Sequence, residues 1–207
     1  MHSPLFRATE GMTLPDTFAA QFYHDSEDEE VLVNGELEEI WYKPRFLFPL
    51  FWALEQCGIL IAERRRNVPT SLAVRVVNCS DFGICQIWRR RFFADRTKKF
   101  DVRVVYDKGS KRAVDLVGPL EFLALGWDLS SREGSFGIDV ATAGFRLGTR
   151  FIWMPDWLWP YLLGRETFRQ TVEDEENGLF SIQLHIEHPI FGPIFGYSGE
   201  FRVEPQR

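Results

Sequence analysis

From about residue 71 onward, apolar side chains recur at every second position in short runs, and turn residues separate the runs. Leu72, Val74 and Val76 alternate with Ala73 and Arg75, and Phe100, Val102, Val104 and Tyr106 alternate with Asp101 and Arg103. A period of two sends neighbouring side chains to opposite faces of an extended chain, which is the pattern of a strand with one buried face. Asp81-Phe82-Gly83, Lys108-Gly109-Ser110 and Asn177-Gly178 supply the turns. Further strands are expected at 86–93, 112–117, 120–129, 135–140, 144–153, 165–173, 179–188 and 193–203. No helical pattern lies between consecutive runs, apart from a short one at 156–163, so the crossovers of a parallel sheet are missing. The expected fold is mostly β: an antiparallel up-and-down meander of about ten strands forming a barrel or strongly curved sheet, with two or three short helices.

Ahead of this region, residues 1–13 read as a loose leader, and 14–207 as a single β-rich domain. Phe18 and Phe22, four apart, mark a short helix after Leu14-Pro15-Asp16. The acidic run 25–30 reads as a solvated loop. A strand is expected at 31–42, with Val31, Val33, Leu37 and Trp41 on one face. A second helix is expected at 44–61, with Pro49 kinking it. The 19 Phe, 7 Trp and 5 Tyr make up 15% of the chain, and aromatic rings suit a pleated, half-buried surface.

One strand carries most of the chemical interest. In Gln86-Ile87-Trp88-Arg89-Arg90-Arg91-Phe92, the side chains of Trp88, Arg90 and Phe92 share a face. If the rings point inward, the Arg90 guanidinium goes with them. A buried guanidinium left alone costs several kcal/mol, so it needs a partner. Glu166 shares a face with Phe168, Gln170 and Val172, and Asp115 is a second candidate. Two readings follow. In one, an internal bridge from Arg90 to a carboxylate fixes strand register. In the other, Arg90 grips an anionic ligand head inside an apolar cavity, because its planar fork of donors suits a carboxylate or phosphate. Trp88, Phe92, Phe168 and Tyr197 would be the walls. A third reading makes Glu166 an acid/base catalyst, with His24 as its companion. Tyr197, set between glycines, is either core or a hydroxyl that reads the ligand.

Two aromatic stretches have no clean polar face: Phe46 to Trp52, and Phe151 to Leu163. They are expected either to cover the barrel or to dock on a membrane or a reductase-type partner through Phe48, Trp52, Trp157 and Trp159. Lys43, Arg45, Arg150 and Arg165 flank them and suit anionic headgroups.

The quoted pieces are similar to an uncharacterised bacterial family, domain-of-unknown-function family 4166. They are Leu14-Pro15 before His24, Trp88 to Phe92, Gly118-Pro119, Glu166, Asn177-Gly178-Leu179-Phe180, and Pro189 through Gly192 with Tyr197 and Gly199. The resemblance implies a domain found alone or fused behind a Rossmann-type reductase, and no established activity. The family pattern has Glu at the position of Asp115 and Phe at that of Ile182.

Other functions find little support. A net charge of -6 repels phosphate backbones, and the Arg64-Arg65-Arg66 and Arg89-Arg90-Arg91 runs are short, so no nucleic-acid partner is expected. Cys57, Cys79 and Cys85 make an odd count with no paired spacing, which argues against a disulfide framework. His185 and His188 fall on opposite faces of one strand, and no metal site or cofactor is expected. There is no G-x-G-x-x-G segment and no secretory pattern, so the expected compartment is the cytoplasm, with membrane association left open.

Overall fold

The structure is a computed structural model that describes residues 3–22, 30–43, 45–61, 64–94 and 97–204. His24 and most of the acidic run lie outside these residues. Eleven strands form one antiparallel sheet: β1 (Glu30–Tyr42), β2 (Arg65–Cys79), β3 (Gly83–Phe93), β4 (Thr97–Asp107), β5 (Arg112–Val117), β6 (Leu123–Arg132), β7 (Ser135–Leu147), β8 (Arg150–Trp153), β9 (Arg165–Asp174), β10 (Leu179–His188) and β11 (Gly192–Val203). The sheet runs β6-β5-β4-β3-β2-β1-β11-β10-β9-β7-β8, and β6 also pairs with β7. Ten strands thus close into a barrel, and β8 is an extra strand on the C-terminal half of β7. Closure leaves the barrel strands without free edges.

Four short helices accompany the barrel: α1 (Pro4–Ala8), α2 (Asp16–Phe22), α3 (Phe48–Gln56) and α4 (Trp159–Leu163). The first residues are not a loose leader. Ser3 caps α1 by accepting a hydrogen bond from the Phe6 N–H at 3.2 Å, and Leu5 is fully buried against the core. Phe18 of α2 plugs the end of the barrel where β1, β7 and β10 begin. Its ring meets Phe180 edge-on at 5.9 Å and Phe136 at 6.1 Å. All three rings are among the largest fully buried side chains. Phe18→Ala is expected to lose about 3–5 kcal/mol of stability by urea unfolding, the usual cost of an emptied ring site. A loss under about 1 kcal/mol would show that α2 is not part of the core.

Several local departures from simple alternation have clear causes. Along β1, Val31, Val33 and Leu37 are buried as their spacing demands, but a register shift between Leu37 and Glu39 moves Ile40 into the core. Trp41 therefore leaves the inward set. It pairs with Gly196 on β11, and its indole covers that glycine so closely that a Cβ there would lie 2.6 Å from the ring. A bulge flips parity for every later residue of the strand. Pro69 sits inside β2 instead of ahead of it. It pairs with Glu36 of β1, whereas pairing with β3 starts only at Thr70, so its missing N–H breaks no ladder bond. Pro49 lies in the first turn of α3, so it starts the helix where a kink was expected. The expected pair of strands at 135–140 and 144–153 is one long β7 and a short β8, joined through Gly148 at φ 61°.

The strand β5 is buried on both faces. Its inward residues meet the lumen. Val114 and Leu116 point outward into a second cluster with Cys85, Val105 and Ala124, covered by Phe82, Phe151 and Trp153. The tip of the β2–β3 hairpin is held there by charge. Arg103 and Arg146 each pair with both Asp81 and Glu121, and both guanidinium groups lie over the Phe82 ring. Cys79 and Cys85 belong to this outer cluster as free thiols, and burial pushes the Cys85 thiol up.

Candidate functional site: a polar cluster inside an apolar barrel

The barrel is hollow. Its cavity measures about 120 Å³, counted as the space open to the centre of a water molecule. At about 10–15 Å³ per water on that measure, it has room for roughly ten waters, or about 300 Å³ of liquid. That is the lower end of the ~300–1,000 Å³ range of small-molecule pockets. The wall is dominated by aliphatic and aromatic side chains, among them Leu37, Ile40, Trp127, Phe180 and Leu184. Ile59, Leu60 and Ile61, between α3 and β2, close it at the end opposite α2.

All seven residues singled out as ligand contacts line this cavity: Trp88, Arg90, Phe92, Asp115, Glu166, Phe168 and Tyr197. The parity of β3 is regular through this segment, so Trp88 and Phe92 are buried and Arg90 accompanies them. Arg90 on β3 and Glu166 on β9 are five strands apart around the barrel in either direction, so they reach the lumen from opposite walls. Asp115 comes from β5 and Tyr197 from β11. These strands set a few polar side chains into otherwise apolar faces.

The guanidinium of Arg90 lies 5.2 Å from the Trp88 ring centroid and 5.0 Å from that of Phe100, its cross-strand partner. Such contacts favour a cation most where water is excluded. Among the described residues the Arg90 guanidinium makes no close ion pair or hydrogen bond. The internal bridge that would fix strand register is therefore not formed. Asp115 is 7% exposed, and its Oδ1 accepts no hydrogen bond from the protein.

Burial governs the protonation of this cluster. Burial raises the Asp115 carboxyl to about 7; Arg90 pulls it down and Glu166 pushes it up. Burial likewise raises Glu166, again opposed by Arg90. Burial holds the Tyr197 hydroxyl at about 12, so it stays protonated. Arg90, Glu166 and Tyr197 keep partial surface exposure although they lie deep within the protein. All three line the cavity, which accounts for exposed area on deeply placed side chains. With both carboxyls neutral, the site carries one positive charge; with one of them ionised, it carries none.

Two polar lining residues were not singled out as ligand contacts. Gln170 is buried and shares the inward face of β9 with Glu166 and Phe168, so its parity was available as a signal. Thr70 is buried two residues before Leu72 on β2 and lines the same cavity. Of the four residues expected to dock, Phe48, Trp52 and Trp157 are exposed. Trp159 is not: at 4% exposure it is core, packed at the start of α4. Its helix leans on the barrel, and the following residues Tyr161 and Leu162 point out instead. His185 is exposed beside Trp41, and His188 is buried, which keeps them on separate faces. Among the described residues no group of His, Cys, Asp or Glu could hold a metal ion. No described helix is long and apolar enough to cross a membrane.

Residues 14–201 match the family described as "Domain of unknown function (DUF4166)". A curated relative is the "Uncharacterized protein YndH" of Bacillus subtilis (strain 168), 28% identical over 145 residues, which cover 69% of this chain and 68% of that protein. The family match takes in β1 to β10, β11 as far as Phe201, and every polar residue of the cavity.

Proposed function

The chain belongs to the DUF4166 family, and we propose that it is a binding module that holds a medium-sized apolar molecule with an anionic end inside the barrel. The observation that carries this reading is a cationic side chain with no close ion pair in a cavity whose two carboxyls are biased toward the neutral form. A buried positive charge without a counter-ion is costly, and an incoming carboxylate or phosphate removes that cost. Trp88 and Phe100 hold the guanidinium from the side, leaving its donors for the ligand. Tyr197, protonated at any physiological pH, adds a neutral donor. The volume favours a compact apolar acid over a whole phospholipid.

The charge balance makes the reading selective. An anionic head beside Asp115 and Glu166 disfavours their ionised forms, so it binds best when both are protonated. Affinity should weaken as pH rises past the Asp115 value of about 7, and binding above that pH should take up a proton. Native mass spectrometry of the freshly purified protein tests the proposal. The expected result is a bound species that organic extraction releases as an apolar acid. A protein that emerges free of ligand, and that takes up no medium-chain carboxylic acid added at pH 6, would end the proposal.

A further inference from the structure

The end of the barrel opposite α2 is unusual in what it exposes. Three segments meet there: the region from Arg45 through α3, the β10–β11 turn, and α4 with the loop before it. They carry Phe46, Leu50, Trp52, Trp157, Leu162 and Ile190 on the surface, with Trp157 71% and Ile190 69% exposed. Ring contacts join the segments: Phe46 meets Phe191 edge-on at 5.6 Å, Phe191 stacks on His188 at 4.7 Å, and His188 meets Tyr161 at 6.5 Å. The turn is held rigidly. His188 Nε2 donates to the Tyr161 carbonyl at 3.0 Å, while its Nδ1 accepts from the N–H groups of Ile190 and Phe191. The apolar surface is therefore a built feature and not a frayed loop. By contrast, Met12 and Leu32 are the large exposed apolar residues toward the α2 end among the described residues. An apolar patch of this extent on one end marks an interaction site.

Charge says what covers it. Lys43, Arg64, Arg150 and Arg165 are exposed around this end. Among the described residues three exposed acids, Glu38, Asp156 and Glu187, stand near them, while Glu55 is neutralised by Lys98 and Glu39 by Arg66. The α2 end is mixed in sign, with exposed Glu133, Glu173, Glu175 and Glu176 standing beside exposed Lys108, Lys111 and Arg132. Among its described residues, a chain of net charge -6 thus keeps a positive excess where its aromatic side chains are exposed. Aromatic and apolar side chains rimmed by cations match the interface of an anionic bilayer.

We propose that this end docks peripherally on an anionic lipid bilayer, with the aromatic side chains in the headgroup layer and the cations against the lipid phosphates. The proposal stands apart from the ligand reading, because it rests on the outer surface and not on the cavity.

Flotation with vesicles of phosphatidylcholine alone, and of phosphatidylcholine mixed with phosphatidylglycerol, tests it. Wild-type protein should float with the anionic vesicles and stay behind with the neutral ones, and added salt should release it. The Phe46→Ser/Trp52→Ser/Trp157→Ser variant removes exposed rings only, so its thermal unfolding should match wild type while its partitioning falls by about tenfold or more. Lys43→Glu/Arg64→Glu should lose the preference for anionic vesicles. Binding to neither vesicle, equal binding to both, or wild-type flotation by the triple variant would each overturn the proposal. So would a stable dimer in light scattering that the triple variant disrupts, which would assign this face to a second copy of the chain.

Discussion

Asp115→Asn should make the protein more stable at pH 8 and leave it unchanged at pH 4. Asp115 titrates near 3.8 when exposed and near 7 in the folded barrel. Between those values the folded state holds a proton that the unfolded chain gives up, so wild-type stability falls as pH rises. Above about pH 7 both states are ionised and the loss is complete. A shift of about three units corresponds to an upper limit of about 4 kcal/mol. The Asn amide leaves that oxygen unpartnered just as the protonated carboxyl does, so it costs nothing extra at pH 4, and relaxation around the ionised wild-type carboxylate holds the gain at pH 8 to about half of that limit. A net gain of about 2 kcal/mol should raise Tm by roughly 4–8 °C for a chain of this size. The check is a pair of thermal unfolding series across pH. The two curves should coincide near pH 4 and separate up to pH 7. A variant less stable than wild type at pH 8 would mean that Asp115 is a paired carboxylate, and the charge balance given above would be wrong.

Arg90→Met should abolish most ligand affinity without unfolding the barrel. Met keeps a long, flexible apolar stem between Trp88 and Phe100 and removes only the charge and its donors. Charge-assisted hydrogen bonds are worth about 1.5–3 kcal/mol each, so affinity for an apolar carboxylic acid should fall by roughly 10–150-fold. The barrel tolerates the change because Arg90 lowers the carboxyl values of both Asp115 and Glu166. Without it, both rise further and stay neutral to a higher pH. Arg90→Lys should lie between, since an ammonium keeps the charge but loses the planar fork. Displacement of a fluorescent apolar carboxylic acid, followed at pH 6, measures all three proteins. Equal affinity in wild type and Arg90→Met would remove Arg90 from the site.

Both predictions depend on a feature that the sequence carries openly. Residues 88, 90 and 92 alternate with outward Arg89 and Arg91, and nothing interrupts β3 between them; Arg89 and Arg91 indeed pair outside with Glu30 and Asp101. Parity alone therefore places a guanidinium among rings. The same logic places Glu166, Phe168 and Gln170 on the far wall. It breaks at Trp41, because a bulge two residues earlier changes parity and a bulge leaves little trace in residue type. Whether Arg90 meets a carboxylate or a cavity also lies beyond alternation. Two inward charges on opposite walls either touch or stand apart, depending on the barrel's width, which closure of ten strands sets. The aromatic stretches show the other limit. Trp157 and Trp159 are two residues apart in a segment with no polar face, and only the seating of α4 decides that one is buried and the other exposed. The short helix at the start of the chain was hidden for a similar reason: five residues give too few turns for a period to show, and Leu5 is buried by tertiary packing alone.

The account comes down to the state of one carboxyl. A carbon-13 titration of the Asp115 side chain in the folded, ligand-free protein measures it directly. The expected midpoint is about 7, moving upward in Arg90→Met. A midpoint in the ordinary range near 4 would place a carboxylate beside Arg90 at neutral pH, cancel the positive charge offered to a ligand, and contradict the proposed binding site.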